Sequence, residues 1–590
     1  MPVKDPHSFA DLSQGLIKHI DFEIRVDFET RILTVGAAYQ LAEPVSGTFY
    51  LDTLDLEIER VYSGDEELDW SLTEQNESLG QRLELQNLEK IHGFTIDLRT
   101  SPAAEALQWM TPHQTLGGKH SFLYSQCQSI SARSIFPCQD TPSVRFTYAA
   151  SVTVPKPLMA VMAAEAVGSQ QDENASTFQF KMPQPIPSYL FALAVGNLVF
   201  QEMGPRTGVY AEPEQLEAAA YEFAENEAKL VEAEKLFGPY KWDRYDLLIL
   251  PPSFPYGGME NPRLTFLTPM SIRGNRLHTD IVSHELAHAW TGNLVTNATW
   301  EHAWLNEGWT TYAEKRISEV LYGVDHIQIT NYIQRNQMFE VMERVITDPK
   351  YTCLRTHLEG VSPDEGFTLV TYAKGYTFLL MVEQAVGREA FDEFIHKYIN
   401  AFSFQSLTTE EFIDFMRAEL PSVFDLVNVQ EWLYEPGFPE SAPEIHSRQV
   451  AEVDVVNEKY RQGILPTTEV VKDWDWMQTS IFLRALPVTI SIEDCRYFED
   501  LFALDEDTYP PLLGDFYKVC IRSGYEQIYP QVEALFSATG RLAVIMPVFR
   551  TMLDTEWTQA LARPLFEEMR ERYHPHTIAV FERFLKAAGM

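Results

Sequence analysis

The chain has 590 residues, of which 45% are hydrophobic and 22% are charged. These values are typical of globular proteins and exclude a disordered or fibrous chain, and the length suffices for roughly two to four domains. Because 85 Asp and Glu oppose 46 Lys and Arg, the net charge of −39 repels phosphate backbones and anionic lipids, so we expect no nucleic acid and no membrane as partner. The acidity indicates either a well-solvated surface or adaptation to a salty or cold habitat.

Targeting and redox signals point to one compartment. The first six residues lack the basic start and the apolar core of a secretory signal, and no apolar stretch approaches the roughly 20 residues that span a bilayer. The five cysteines are odd in number, scattered and without a Cys-x-x-Cys pair, which predicts reduced thiols rather than disulfides. We therefore expect a cytoplasmic protein.

The first two hundred residues alternate apolar and polar side chains with the two-residue period of half-buried strands. The alternation is present in residues 20–28, recurs at 54–58, and returns over 144–154. Repeated alternation of this kind is typical of antiparallel sheets with one face on a core. The sequence therefore predicts an N-terminal antiparallel β-domain that ends near Leu198.

From about Gln201 the apolar period becomes helical. Helices are predicted over residues 213–237 and 280–291, and the short apolar run 247–250 predicts a strand before two prolines. This mixture of helix and strand indicates a second domain of a different class.

A loop rich in proline and glycine at residues 436–443 marks a second boundary. Beyond it, residues 498–585 show successive amphipathic helices separated by Pro, Gly and Asp, as in domains of stacked helices. The predicted fold is a multidomain α+β protein with a β-domain at 1–200, a mixed middle domain at 201–440 and a helical domain at 441–590.

The predicted helix of residues 280–291 carries His-Glu-Leu-Ala-His at positions 284–288. Spaced four residues apart, His284 and His288 lie on one helix face and can bind a single Zn²⁺. Glu285 then lies beside the metal, free to take a proton from a bound water. The motif predicts a zinc site, for which a third protein ligand is required.

Glu307 is the candidate third ligand. It follows His288 by nineteen positions, enough for a helix end, a loop and the first turn of a second helix alongside the first. Two His and one Glu leave one coordination position open for water, as in catalytic rather than structural zinc sites. With Glu285 as general base the natural reaction is peptide hydrolysis. The alternative is a helix with surface histidines and a salt-bridged glutamate.

Gly-Gly-Met-Glu-Asn stands at positions 257–261, about two dozen residues before the zinc helix. With both motifs in this order, the chain resembles the zinc aminopeptidases of the gluzincin class. Within that class it looks most like the leukotriene A-four hydrolase and aminopeptidase B branch, from Gln-Cys-Gln at 126–128 to the last helices. The resemblance implies one Zn²⁺ per chain, a thermolysin-like catalytic domain, and a C-terminal helical superhelix of armadillo or HEAT type. It also implies removal of N-terminal residues from short peptides. We expect a monomer or weak oligomer.

The glycine motif has a physical reading of its own. Gly257 and Gly258 let the main chain approach a bound peptide closely enough to pair with it, and Met259 belongs to the same substrate-binding segment. Glu260 offers a negative charge to a free α-ammonium group, which an internal peptide bond lacks. Without the zinc motif, the same residues would fit a glycine turn with an exposed acid.

The resemblance implies roles for four more residues. Tyr372 is implied as the neutral phenol that donates to the developing oxyanion, and Gln126 as lining the site near the amino end of the substrate. The alternatives are a packed phenol and an edge-strand amide. Tyr256 either borders the pocket for the first side chain or is a packed aromatic. Arg541 is implied to bind the terminal carboxylate of the substrate, and its alternative is an exposed structural arginine.

The chain departs from the leukotriene branch at two positions. Ala543 replaces a second cation near Arg541, so the grip on the terminal carboxylate is expected to be weaker. Of the Asp and Tyr that open a lipid epoxide in that branch, Asp364 matches the first, whereas Phe367 stands at the second. Epoxide hydrolysis is therefore predicted to be weak or absent. A catalytically dead peptide-binding protein is the third hypothesis, which the joint presence of all the motif residues disfavours.

Overall fold

The computed structural model describes residues 4–76, 78–276, 279–505 and 508–590. In its N-terminal part the alternating segments are strands. They are β1 (Ile17–Asp27), β2 (Ile32–Thr53), β3 (Glu57–Ser63), β4 (Glu66–Glu67), β5 (Asp69–Leu72), β6 (Gln81–Arg99), β7 (Leu107–Met110), β8 (Phe122–Ser125), β9 (Phe146–Pro155), β10 (Met159–Met162), β11 (Glu165–Gln171), β12 (Ala175–Ile186) and β13 (Leu193–Gly196).

Two sheets form from these strands. The larger has nine strands in the order β11-β12-β9-β1-β2-β6-β3-β4, with β5 also paired to β6, and the smaller has the order β10-β13-β8-β7. The strands predicted at 20–28 and 144–154 are confirmed as β1 and β9, which lie side by side in parallel, while β1 and β2 are antiparallel. The apolar face of β1 is buried, as its alternation predicts.

The strand predicted at residues 54–58 is wrong in its first half. Strand β2 ends at Thr53 and β3 begins only at Glu57, so Leu54 lies in the turn between them. Asp55 has φ +52°, the left-handed conformation that Asp tolerates in turns. An apolar alternation of five residues is equally compatible with a turn whose side chains pack back onto the sheet, and Leu56 is buried in this way.

The middle part of the chain combines strands and helices. The strands are β14 (Val199–Glu202), β15 (Thr207–Ala211), β16 (Tyr245–Ile249), β17 (Gly258–Met259), β18 (Leu264–Leu267), β19 (Val295–Asn297) and β20 (Gln405–Leu407). The helices are α1 (Leu216–Glu222), α2 (Asn226–Phe237), α3 (Asp280–Ala287), α4 (Trp304–Tyr322), α5 (Val324–Arg344), α6 (Leu369–Val386), α7 (Arg388–Phe402), α8 (Thr409–Glu419), α9 (Val423–Leu426) and α10 (Val429–Tyr434).

A five-stranded sheet with the order β14-β15-β16-β18-β17 supports the helices of this part. The strand predicted at 247–250 is confirmed as β16, whereas the helix predicted over 213–237 is divided into α1 and α2. Helix α3 also ends four residues earlier than predicted, at Ala287. His288 caps it with φ −54° and ψ −26°, which is still helical, so the spacing of the two histidines on one face is preserved.

The last part of the chain is helical, as predicted, and begins before residue 498. Its helices are α11 (Arg448–Arg461), α12 (Thr468–Val471), α13 (Trp476–Arg484), α14 (Ile492–Leu501), α15 (Pro510–Arg522), α16 (Tyr529–Ala538), α17 (Leu542–Asp554), α18 (Glu556–Met569) and α19 (Pro575–Ala587). Among the described helices of the chain, none combines the length and the apolar character that crossing a membrane requires.

The buried apolar residues are grouped in a way that supports the proposed domain division. One continuous core joins the β-domain and the middle domain and extends to Leu433, whereas a second core runs from Val450 to Leu585 in the helical domain and also includes Met270 and Ile329 of the middle domain. The change of sheet between β13 and β14 supports a boundary near residue 200. The limits 1–200, 201–440 and 441–590 themselves stay a prediction.

His574 links the helical domain to the β-domain and gives the fold a dependence on pH. It is 5% exposed, stacks on Tyr124 with ring centroids 6.1 Å apart, and its Nδ1 accepts the N–H of His576 at the start of α19. Burial, reinforced by the charge of His576, lowers the pKa of His574 to about 3. Below pH 6.5 the unfolded chain therefore binds a proton that the folded chain refuses, and stability falls as the pH drops towards 3.

His574→Asn keeps a cap acceptor and removes this titration. Between pH 7.5 and pH 5 the unaltered protein should lose about 1–2 kcal/mol more unfolding free energy than the variant. Denaturant unfolding at both pH values measures this difference. His446→Asn, at a side chain that is 82% exposed, is the matched control and should behave like the unaltered chain. Equal losses in the unaltered protein and His574→Asn would show that His574 does not set the acid sensitivity.

Candidate metal and active site

Helices α3 and α4 bring the three predicted metal ligands together. The Nε2 atoms of His284 and His288 are 3.2 Å apart, and they lie 3.4 and 3.6 Å from Oε2 of Glu307 in the first turn of α4. A tetrahedral zinc ion with bonds of about 2.0–2.1 Å separates its ligand atoms by about 3.3 Å. The three side chains are therefore spaced as ligands of a single ion.

The remaining atoms of these ligands support the same assignment. Nδ1 of His284 lies 3.0 Å from Oε2 of Glu314, and Nδ1 of His288 lies 3.1 Å from the hydroxyl of Thr310, so each ring presents only Nε2 to the centre. Oε2 of Glu307 is buried and has no hydrogen-bond partner within the described part of the chain. A buried carboxylate oxygen without a partner is unfavourable, and a cation satisfies it. The residues present fit a zinc ion.

Three carboxylates are buried at this centre. Glu260, Glu285 and Glu307 are 4%, 6% and 3% exposed, and ligand atoms of Glu260, Glu285 and His288 lie within 4.8 Å of one another. Burial raises the pKa of Glu285 to about 8. Burial, followed by the charges of Glu307 and Glu285, raises the pKa of Glu260 well above its ordinary value. These shifts show that the three carboxylates cannot all be ionised here without a compensating positive charge, which a divalent cation and an ammonium group would supply.

The two glycines of the predicted substrate segment allow a close approach. Strand β17 is at the edge of its sheet, paired on one side with β18. A Cβ atom on Gly258 would lie 2.3 Å from Oε1 of Glu285, and one on Gly257 would lie 2.5 Å from Cδ1 of Ile281. Only glycine lets this strand lie directly against α3. No strand of the described residues pairs with its other edge, where an extended peptide could pair.

The surroundings of Glu260 include residues that the sequence did not single out. Nε2 of Gln128 lies 3.4 Å from Oε1 of Glu260, and Nδ2 of Asn293 donates to the Glu260 carbonyl at 2.6 Å. Gln126 donates instead to the sulfur of Met259 at 3.1 Å, and both side chains are buried. The role predicted for Gln126 stays a prediction, and Gln128, two positions later, is the glutamine that contacts the acid.

Tyr372 lies on α6, which packs against the ligand-bearing helix α4. Its ring stacks on that of His284 with centroids 5.9 Å apart. Burial, with the charge of Glu307, raises the pKa of Tyr372 well above its ordinary value, so the phenol keeps its proton. The two helices touch at Gly308 and Gly375, where a Cβ on Gly308 would lie 2.9 Å from the Gly375 Cα. This contact places the phenol beside the metal ligands.

The helical domain reaches the site through the segment before α17. The main-chain N–H groups of Gly540 and Leu542 donate to carbonyls of the segment 252–255, at 2.8 and 3.1 Å. As a result, NH2 of Arg541 lies 3.1 Å from the position of a Cβ on Gly257. Nε of Arg541 is buried without a hydrogen-bond partner among the described residues. The structure thus brings Arg541 to the substrate segment, and its role there stays a prediction.

Tyr256, directly before the glycines, contacts the helical domain and lies near enough to Asp364 to feel its charge. Tyr256 stacks on His576 of the helical domain with centroids 6.0 Å apart. Burial, followed by the charge of Asp364, raises the pKa of Tyr256 well above its ordinary value. Asp364 accepts a hydrogen bond from the Ser129 hydroxyl at 2.7 Å, and Phe367 offers an apolar ring without a hydroxyl. The pocket role of Tyr256 stays a prediction.

Two residues that contact the site, Glu314 and Gln128, were not predicted from the sequence, for different reasons. Glu314 follows Glu307 by seven positions, so two turns of one helix put both on the same face, and this spacing was a usable signal. Gln128 contacts Glu260 across two domains. Its position depends on domain packing, for which the local sequence carries no signal.

Gly258→Ala tests the close approach of β17 to α3. The added methyl group would overlap Glu285, which must shift, and misplacement of a reacting group by about 1 Å costs roughly a hundredfold in rate. We expect kcat/KM for an aminoacyl anilide to fall about a hundredfold with unchanged zinc content. Gly36→Ala is the control, because its Cβ would meet ordinary contacts of 3.5 Å or more. Full activity of Gly258→Ala would refute the close-approach argument.

Comparisons with known proteins agree along the whole chain. Residues 18–190, 221–432 and 474–585 match the peptidase M1 N-terminal domain, the peptidase family M1 domain and the leukotriene A4 hydrolase C-terminal domain. A leukotriene A-4 hydrolase from Xenopus laevis is 37% identical, with 97% of this chain and 98% of the relative covered. A leucine aminopeptidase 2 from Pyricularia oryzae is 33% identical, with 99% and 98% covered.

A solved structure gives the same result for the fold. The structure of yeast LTA4 hydrolase in complex with bestatin matches with a TM-score of 0.90 at 29% identity, covering 99% of this chain and 98% of that chain. The matched regions follow one another in the order of the three domains described above, and the middle one contains the candidate ligand set. The chain therefore belongs to peptidase family M1, a family of zinc aminopeptidases, and has the three-domain architecture of leukotriene A4 hydrolase.

Proposed function

We propose that the chain releases single residues from the N-terminus of short peptides, with its zinc ion bound by His284, His288 and Glu307 and with Glu285 as general base. The observation that carries this assignment is the position of Glu260. It is a third buried carboxylate, which shares no ion pair with the described cations and lies within 4.8 Å of the ligand atoms of Glu285 and His288. The Glu260 carboxylate therefore needs a positively charged partner, which a substrate group can supply.

The chemistry needs an activated water and a proton carrier. A zinc ion in this site supplies a Lewis acid that lowers the pKa of water and polarises a carbonyl. Because Gly258 has no side chain, the Glu285 carboxylate can lie directly against the edge strand. It therefore faces the place where a peptide would lie. There it takes the proton of the attacking water and gives it to the departing amine.

The restriction to chain ends follows from Glu260. A free α-ammonium group can pair with its carboxylate, and Gln128 adds a polar contact at 3.4 Å that holds the carboxylate in place. An internal peptide bond brings no charge, so its binding would leave Glu260 buried and unpaired. Binding of internal segments is therefore disfavoured, while chain ends are accepted.

Tyr372 is proposed as the donor to the oxyanion. Its ring lies against His284 on the side of the metal ligands, and it remains a neutral phenol because burial opposes its ionisation. A hydrogen-bond donor fixed beside the developing charge stabilises the transition state more than the ground state. Tyr372 is on a different helix from the ligands, and the glycine contact between α4 and α6 sets its distance.

Aminoacyl anilides and their N-acetylated counterparts test the assignment directly. Acetylation removes the ammonium charge, so turnover of the acetylated anilides should be abolished, and chelation of zinc should abolish turnover of the free ones. Glu285→Gln should retain zinc but lose about 10³-fold or more in kcat. Glu260→Gln should act mainly on recognition of the ammonium group. Zinc content and initial rates are the measurements.

The matched control is Glu165→Gln, an exposed glutamate on β11 that should leave zinc content and rates unchanged. Cleavage of acetylated anilides as fast as free ones would overturn the exopeptidase assignment. Full activity of Glu285→Gln would overturn the role of Glu285 while leaving the metal site in place.

Epoxide hydrolysis is the second activity to be tested, because Asp364 matches the leukotriene branch. Phe367 has no hydroxyl to offer, so the unaltered enzyme should convert leukotriene epoxide to its dihydroxy product slowly or not at all. Product analysis by chromatography measures this, and Phe367→Tyr provides the comparison. Efficient conversion by the unaltered chain would contradict the expectation.

The location and assembly of the chain stay proposals. The five cysteines are free thiols, four of them buried, which supports a reducing compartment such as the cytoplasm. A monomer or weak oligomer is expected. The same anilide series, extended over side-chain types, would determine the preferred N-terminal residue and guide the search for the physiological peptide.

A further inference from the structure

A cavity of about 740 Å³ lies between the middle and helical domains. Its walls come from α4 and α5 on one side and from α13, α15 and α17 on the other. It adjoins the proposed active site through three wall residues, Ile281, Glu314 and Arg541. Glu314 holds the ring of His284, and Arg541 lies beside Gly257. We call this space the interdomain chamber.

The chamber has the opposite charge balance to the whole protein. Seven Lys and Arg line it against five Asp and Glu, although the chain as a whole has 46 against 85. Three of the seven cations, Lys315, Arg484 and Lys518, are ion-paired with wall acids. The other four are arginines without an ion pair to any residue of the described ranges: Arg344, Arg522, Arg541 and Arg550.

Three of these arginines belong to one cluster at a distance from the active site. NH2 of Arg550 donates to the carbonyl of Arg344 at 3.2 Å. Burial and the charge of Arg344 lower the pKa of Arg522. The charges of Asp554 and Glu340 oppose this shift, although neither forms an ion pair with Arg522. Placing like charges together is unfavourable unless an anion joins them. We call Arg344, Arg522 and Arg550 the distal arginines.

We propose that the distal arginines bind a carboxylate of the peptide substrate, beyond the position that Arg541 reaches. This rests on the proposed aminopeptidase function. Arg550 follows Arg541 by nine positions along α17, which corresponds to about 13 Å of helix. An extended peptide covers this distance with about four residues. The carboxylate comes either from the C-terminus of a peptide of that length or from an acidic side chain at that position.

A purely structural role is the competing explanation. Arg344 and Arg522 are the last residues of α5 and α15, where the helix dipole stabilises a cation. Arg550 lies inside α17, but its hydrogen bond to the Arg344 carbonyl places its guanidinium at the C-terminal end of α5, so the dipole of α5 favours this cation as well. Structural arginines would affect folding and would not distinguish a peptide acid from its amide. That distinction is the basis of the test.

The test compares free acids with C-terminal amides of peptides that share one N-terminal residue and have three to nine residues. In the unaltered enzyme, kcat/KM for the first cleavage should favour the acid about tenfold once the peptide reaches the distal arginines, and 0.5 M salt should reduce the preference. In the triple variant Arg344→Gln, Arg522→Gln, Arg550→Gln the ratio should approach one at that length. The amide of each peptide is the internal reference for folding and turnover.

A second arm identifies the source of the carboxylate. An amidated long peptide with Asp at the distal position should regain the advantage if a side chain suffices, and should not if only the C-terminus is bound. Arg563→Gln, an exposed arginine on α18, is the control and should keep the unaltered ratios. An acid preference that is absent, or that survives the triple variant, would overturn the distal site. Failure to cleave simple anilides would instead overturn the proposed function.

Discussion

Burying Glu260, Glu285 and Glu307 around the same histidine, His288, is unfavourable unless positive charge is brought to them. The protein supplies little positive charge near these carboxylates. Each of the two histidines presents one nitrogen to the metal position, and Arg541 lies farther out, beside Gly257. The missing charge must come from the metal and from the substrate. One constraint therefore accounts for both the requirement for a divalent ion and the selection of peptides with a free amino end.

The site is built from residues of all three domains. The middle domain holds the metal ligands, the β-domain contributes Gln128, and the helical domain contributes Arg541 through main-chain hydrogen bonds to the segment 252–255. The β-domain and the middle domain share one core, whereas the helical domain has a second core, to which the middle domain contributes Met270 and Ile329. The chamber lies along this second contact, so its width depends on how the helical domain is seated.

Much of the site was predictable because its residues are close in sequence or fixed by helix geometry. The spacing of His284, His288 and Glu307 sufficed to predict a shared ion, since one helix and one returning helix determine it. The strand predicted at 54–58 failed because a five-residue pattern fits a turn as well. Gln128 and the distal arginines were not predictable, since they meet their partners across domains and no local period records such contacts.

The glycine contact between α4 and α6 has a consequence for how the enzyme can move. Gly308 is adjacent to ligand Glu307, and Gly375 is one helical turn from Tyr372, so the two backbones lock ligand and phenol into one rigid block. A change in the seating of the helical domain would alter the width of the interdomain chamber and leave the spacing of Glu307 and Tyr372 unchanged. Substrate binding in the chamber and bond cleavage at the metal site therefore depend on different parts of the structure. Substitutions in the chamber can change which peptides are accepted without changing the catalytic geometry.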